Sequence, residues 1–134
     1  MTSQRVEAAA ETLATVRREG RLLERLPEAS RPRSLAEGYE IQNAFIKTWP
    51  DKLAGWKIGA TSHVTMERFG VSEPIYGPFF ARDVHTSPAT PTAGSLQHMA
   101  IESEFAYRLG KDLPTRAAPY AREEILDAID AVIP

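Results

Sequence analysis

The sequence predicts an α+β fold in which N-terminal helices pack on a mixed β-sheet. Two observations support this class. Apolar residues recur at helical spacing in the N-terminal part, and the later part holds short apolar runs bounded by Gly and Pro, which is typical of strands. The 134 residues suffice for one domain with a hydrophobic core. A content of 43% hydrophobic and 25% charged residues places the chain among globular proteins.

The composition argues against several functional classes. A net charge of −2 with scattered Lys and Arg gives no electrostatic basis for binding nucleic acid. The absence of cysteine excludes disulfides and thiolate metal ligands. No apolar run approaches the roughly 20 residues that span a bilayer, and charges begin at Arg5, so neither a membrane segment nor a secretory signal is expected. We therefore expect a cytoplasmic protein.

Two helices are predicted in the N-terminal part. The first covers residues 4–19 and ends at Gly20, because its apolar positions recur every three or four residues. The second follows the capping-box pattern Ser34-Leu35-Ala36-Glu37 and ends before Trp49-Pro50. Its inner face is predicted to pack in the core rather than to bind a ligand, and consists of Leu35, Tyr39, Gln42, Phe45 and Ile46.

A short strand is predicted over Gly55-Trp56-Lys57-Ile58-Gly59-Ala60. Only glycines flank Lys57 on its own face of this strand, so a ligand could approach its ammonium group closely. The alternative is an ordinary surface lysine on a tight strand, and the pattern leaves both interpretations open. Ser62 is predicted to cap a short helix that Gly70 closes.

The segment that follows, residues 71–99, is predicted to form short strands and loops, with residues 88–94 in an exposed loop. A longer strand is predicted over residues 99–109. Alternation in a strand places Glu102 and Glu104 on one face, where a divalent cation such as Mg²⁺ or Mn²⁺ would relieve their repulsion. An edge strand with one solvated face is the alternative.

A last helix is predicted from Arg122 to about Val132, with its apolar residues inward and with Ala121 unable to supply a capping side chain. None of the three histidines has metal-ligand spacing, and we expect each to be structural or exposed: His63, His85 and His98. No Ser/His/Asp order suggests nucleophilic catalysis, and no Gly-rich phosphate loop is present.

Four segments together resemble one enzyme family. They are Gly55-Trp56-Lys57-Ile58-Gly59-Ala60-Thr61-Ser62, Phe69-Gly70-Val71-Ser72-Glu73-Pro74-Ile75-Tyr76-Gly77, Ile101-Glu102-Ser103-Glu104-Phe105-Ala106 and Leu109-Gly110-Lys111-Asp112-Leu113-Pro114. In this order and spacing they are similar to the 2-keto-4-pentenoate hydratase and 4-oxalocrotonate decarboxylase group of the fumarylacetoacetate hydrolase superfamily. The resemblance extends over nearly the whole chain and corresponds to the N-terminal half of such enzymes.

The resemblance implies an incomplete fumarylacetoacetase-like fold, with an N-terminal helical and αβ region in residues 1–70 and the start of the catalytic domain in residues 71–134. It implies Mg²⁺ or Mn²⁺ bound by Glu102 and Glu104, with a third glutamate just beyond Pro134, and no other cofactor. It assigns Lys57 and Asp83 as catalytic. Asp83 is displaced by one position, with Arg82 in the matching place.

The implied substrate is a small 2-oxo or 2-hydroxy-dienoic acid of aromatic catabolism, to which water is added. Decarboxylation or C–C hydrolysis of a similar acid is the alternative reaction. Hydration and decarboxylation need the same electron sink, so Glu102, Glu104 and Lys57 do not discriminate between these two. A further alternative is a non-catalytic subunit. A homo-oligomer, or a partner carrying the missing half, is expected.

Overall fold

In a computed structural model, which describes residues 1–92 and 100–133, the chain forms four α-helices and four β-strands. The predicted α+β class is confirmed. The chain divides into two compact units, the first within residues 1–97 and the second within residues 98–134. The described strands form two separate antiparallel pairs, so the prediction of one mixed sheet is wrong for this part of the chain.

The first unit is built on two helices, α1 (Ser3–Arg18) and α2 (Leu35–Thr48). The predicted bounds of both helices are confirmed to within a residue or two. The buried residues of α1 are all small, which allows the helices to approach closely: Ala9, Ala10 and Ala14. From α2 the buried residues are Ile41 and Phe45, and the cluster is completed by Trp49 and the fully buried Phe80.

The N-terminus of α2 is capped as the sequence predicts. The backbone N–H of Glu37 donates to the Ser34 hydroxyl at 3.2 Å. The Glu37 carboxylate accepts the N–H of Arg33 at 2.7 Å, one residue earlier than in an ideal capping box. This backbone hydrogen bond lowers the pKa of Glu37, against a smaller opposing effect of desolvation.

Strand β1 (Leu53–Gly59) pairs antiparallel with β2 (Ile75–Phe80). Between them lies α3 (His63–Phe69), which Ser62 caps by accepting the N–H of Thr65 at 3.2 Å. Gly70 ends this helix with φ of 65°, in the left-handed region that favours glycine. A 3₁₀ turn, Ala81–Asp83, follows β2, and another covers Glu28–Ser30.

The second unit contains β3 (Ala106–Leu109), α4 (Arg122–Ala128) and β4 (Ile129–Ile133). The predicted strand over residues 99–109 is therefore wrong for residues 100–105, which have no regular structure, while residue 99 lies outside the described residues. The predicted last helix also ends early. Residues 129–133 pair with β3 as a strand, because β-branched residues fit a pleated ladder better than a helix end.

The β1–β2 pair joins a strand before residue 70 to a strand after it, so it spans the predicted boundary between the two regions. The division into an N-terminal helical and αβ region and a catalytic domain remains a prediction. Of the predicted exposed loop at residues 88–94, positions 88–92 are exposed, and the remainder lies outside the described residues. None of the helices within the described ranges is both long and apolar enough to cross a membrane.

Candidate functional site

Lys57 lies in the middle of β1, on an exposed part of the hairpin. Its direct partner across the pair is Gly77, and Gly55 and Gly59 are its neighbours on the same face. A Cβ atom added at Gly77 would meet the Gln42 side chain of α2 at 4.0 Å, which is an ordinary van der Waals contact. At Gly55 the space is filled, because the Phe79 ring lies against the backbone. Lys57 is thus exposed on a strand whose same-face neighbours are glycines.

The opposite face of the hairpin is held by aromatic contacts. Tyr76 stacks on Tyr39 of α2, with ring centroids 4.3 Å apart, and Trp56 meets Tyr76 edge to face at 5.4 Å. The Tyr39 hydroxyl accepts the backbone N–H of Tyr76 at 3.3 Å. These contacts fix the hairpin against α2 and orient the strand that holds Lys57.

Ala60, directly after β1, is a feature that the sequence did not reveal. It is buried and has φ of 53°, a left-handed conformation that is unfavourable for any residue with a Cβ. Backbone strain of this kind costs about 1–3 kcal/mol and is concentrated at functional sites. The chain therefore makes a strained turn close to the predicted catalytic lysine, at a position where glycine would be the usual signal.

Asp83 ends the 3₁₀ turn after β2 and forms an ion pair with Arg17 of α1. The Arg17 Nη2 donates to Asp83 Oδ2 at 2.7 Å, and the backbone N–H of Phe80 donates to the same oxygen at 3.4 Å. The guanidinium carbon lies 5.1 Å from the centre of the Trp49 ring and 5.3 Å from that of Phe80. Sequence reasoning missed Arg17 because its partner is 66 residues away.

The neighbouring Arg82 is held by a different carboxylate. Its backbone N–H and its Nε both donate to Asp51 Oδ2, each at 3.1 Å. Arg82 and Asp83 thus have separate partners. Arg82 pairs with Asp51, and Asp83 pairs with Arg17. The catalytic role implied for Asp83 remains a prediction.

Glu102 and Glu104 lie in the second unit, in the segment without regular structure that precedes β3. Both are exposed, and with Ser103 and Phe105 they line an open depression. Two carboxylates offer the hard oxygen ligands that Mg²⁺ and Mn²⁺ prefer, and Mg²⁺ is often held by only one or two carboxylates with water. Within residues 1–92 and 100–133, no group of three or more acidic, His or Cys side chains is placed to hold a metal ion. The residues present therefore fit one part of a metal site.

The predicted site residues fall into two sets. Lys57 and Asp83 belong to the first unit, and Glu102 and Glu104 to the second. The predicted exposure of His63 and His85 is confirmed, whereas His98 lies outside the described residues.

Comparison with known proteins supports the resemblance found in the sequence. The chain is 29% identical over 137 aligned residues to a 2-keto-4-pentenoate hydratase of Paraburkholderia xenovorans and, at the same identity and length, to 2-keto-4-pentenoate hydratase 3 of Pseudomonas putida. Each alignment covers 100% of this chain and 50% of the relative. A 2-keto-4-pentenoate hydratase of Dechloromonas aromatica is 29% identical over 96% of the chain and 49% of its own length.

These alignments confirm the predicted resemblance to the N-terminal half of this group. The chain spans about half the length of the curated relatives it matches. No family model and no solved structure matches the chain.

Proposed function

We propose that this chain forms the N-terminal half of a metal-dependent lyase that adds water to 2-hydroxypenta-2,4-dienoate or a closely related 2-oxo acid in aromatic catabolism. The observation that supports this most strongly is the alignment of the entire chain with proteins named 2-keto-4-pentenoate hydratase. We further propose that the complete protein has a fumarylacetoacetase-like fold and acts in the cytoplasm.

In this proposal Glu102 and Glu104 would hold Mg²⁺ or Mn²⁺ through their carboxylate oxygens. When bound, the ion supplies Lewis-acid stabilisation of the negative charge that develops on the substrate oxygen. Lys57, opposite Gly77 on the exposed hairpin, would supply an ammonium group beside the substrate carboxylate or its enolate oxygen. Asp83 would exchange protons with the substrate or the attacking water. Its carboxylate is held in place by the ion pair with Arg17, at 2.7 Å.

Mn²⁺ binding tests the metal assignment. Two carboxylates and water hold the ion weakly, so a calorimetric titration of this chain with Mn²⁺ is expected to show weak binding. Glu102→Gln and Glu104→Gln should abolish it, whereas Glu123→Gln in α4 should leave it unchanged. Tight, stoichiometric binding by the wild-type chain, or binding that survives both substitutions, would contradict the assignment.

Turnover tests the reaction. The chain alone is expected to consume little 2-hydroxypenta-2,4-dienoate in a spectrophotometric assay, because its described residues supply two carboxylates and no third metal ligand beside them. The same chain joined to the C-terminal half of the Paraburkholderia xenovorans relative is expected to hydrate it, and Lys57→Gln should remove that activity. Preferential consumption of 4-oxalocrotonate by the joined protein would favour the decarboxylase alternative.

A second candidate is a non-catalytic subunit that acts by association. The β3–β4 pair exposes large apolar side chains, with Tyr107 61% and Val132 56% exposed, and a two-stranded sheet is only marginally stable in water. If association is the function, light scattering after gel filtration will show an oligomer of the wild-type chain that Tyr107→Lys disrupts. A stable monomer would count against this candidate.

A further inference from the structure

We propose that the first unit contains a second ligand site, a groove beside the C-terminal end of α1 that binds a small carboxylic acid with an apolar body and receives its carboxylate on Arg17. The groove encloses about 860 Å³, within the usual size range of small-molecule sites. Of the residues proposed for hydration, Asp83 lines the groove, whereas Lys57 and the glutamate pair do not. Binding of a carboxylate to Arg17 does not require the hydratase function.

The floor of the groove is apolar. It is formed by side chains from α1 and α2 and by the residues just beyond α2 and within β2, namely Leu13, Val16, Phe45, Trp49 and Pro78. Phe45 and Trp49 stack with their ring centroids 5.1 Å apart, so the floor is a preformed aromatic surface rather than a loose set of chains. Such a surface suits the hydrocarbon part of a ligand.

The polar part of the lining is rich in arginine. Four guanidinium groups and one carboxylate line the groove, from Arg17, Arg18, Arg21, Arg82 and Asp83. The acidic partners of three of these arginines, Glu11, Glu19 and Asp51, lie outside the lining. Each arginine is thus already paired with one carboxylate, and recognition of an anion depends on the N–H donors that Arg17 keeps beside its ion pair.

Arg17 has the geometry to receive a carboxylate. Its guanidinium lies over the Trp49 and Phe80 rings, which fixes its plane, and only its Nη2 donates to Asp83. Within the described residues its Nε and Nη1 make no hydrogen bond, and the side chain is 41% exposed. The planar fork of arginine matches a carboxylate, so a ligand can bind beside Asp83 without displacing it.

Two buried donors in the groove lining lack an acceptor. The Nε2 of Gln42 and the Nε1 of Trp49 are buried and have no hydrogen-bond partner among the described residues. Trp49 as a whole is 8% exposed. A buried donor without an acceptor is unfavourable. Gln42 and Trp49 thus add two unsatisfied donors to the residues that line the groove.

Tryptophan fluorescence tests the proposal. Trp56→Phe leaves Trp49 as the single tryptophan, and hexanoate serves as the probe, with 1-hexanol as its uncharged counterpart. We expect hexanoate to change the Trp49 emission in a saturable manner and 1-hexanol to bind at least about tenfold more weakly, because a hydrogen bond to a charged group contributes about 1.5–3 kcal/mol.

Substitutions in the same Trp56→Phe background locate the carboxylate. Arg17→Gln should weaken hexanoate binding by at least about tenfold and leave 1-hexanol binding unchanged. Leu22→Glu, at an exposed position of the lining, should weaken hexanoate binding through like-charge repulsion even if Arg17→Gln fails to fold. Arg25→Gln, outside the lining, should have no effect.

Three results would overturn the proposal: equal affinity for hexanoate and 1-hexanol, hexanoate binding unaffected by both Arg17→Gln and Leu22→Glu, or no saturable response at all. Glu102→Gln should leave hexanoate binding intact whether or not the metal assignment is correct. Failure of the groove and failure of the hydratase proposal are therefore distinguishable.

Discussion

At the scale of single residues, the carboxylate of Glu124 shows how a few hydrogen bonds determine an electrostatic property. Arg116 forms two hydrogen bonds to it, with Nη1 donating to Oε1 at 2.8 Å and Nη2 donating to Oε2 at 2.6 Å. The N–H of Ala121 donates to the same group at 2.8 Å. Arg116 first, and then the Ala121 N–H, lower the pKa of Glu124 to about 2. This carboxylate also supplies the helix cap that the side chain of Ala121 cannot provide.

The pKa of Glu124 predicts a pH dependence of stability. Because the pKa is lower in the folded state than its ordinary value of 4.5, the ionised group stabilises the fold above about pH 4.5, and this contribution is lost as the pH falls towards 2. Glu124→Gln should therefore lower the melting temperature at pH 7 and have a diminishing effect in acid. Thermal melts from pH 7 to pH 2 measure this, with Glu123→Gln as the control. A difference that stays constant over the range would contradict the assignment.

At the scale of elements, the signals that proved reliable were local. The caps at Ser34 and Ser62 and the helix end at Gly70 each depend on groups within a few residues, so the sequence predicted them correctly. The β3–β4 pair was not predictable in the same way. Residues 129–133 have helical apolar spacing, yet hydrogen bonding to β3, about twenty positions earlier, makes them a strand.

The β1–β2 hairpin gives a prediction about packing. A Cβ added at Gly55 would lie 2.4 Å from Cζ of Phe79, so Gly55→Ala must displace that ring and should destabilise the chain by about 1–3 kcal/mol. Gly38 in α2 has nothing within 4 Å of an added Cβ, and Gly38→Ala should stabilise the chain by about 0.5–1 kcal/mol. Urea denaturation of the two variants measures both effects. A neutral Gly55→Ala, or two changes of the same sign, would show that the ring is not confined.

At the scale of the whole molecule, some features of the candidate site come from single short segments and others from contacts between distant segments. The spacing of Glu102 and Glu104, and the glycines around Lys57, are properties of short segments and could be read directly from the sequence. The Arg17–Asp83 pair and the groove depend on contacts between segments far apart in the chain, for which no local signal exists. The strand expected to align Glu102 with Glu104 also failed to extend over them, since pairing with β4 starts only at Ala106.

The distribution of buried residues between the two units leads to a last prediction. Buried hydrophobic residues in the first unit include Ile41, Phe45 and Phe80, whereas Ala128 is the buried residue among those described in the second. A unit with so little buried apolar area opens readily, so amide hydrogens of β3 and β4 should exchange faster than those of α2 after correction for intrinsic rates. Hydrogen-exchange mass spectrometry measures this.

If a second copy covers the β3–β4 pair, the protection of β3 and β4 amides will rise with protein concentration, while that of α2 amides stays constant. Equal protection of the two units at low concentration would mean that the exposed faces of β3 and β4 are not a source of instability.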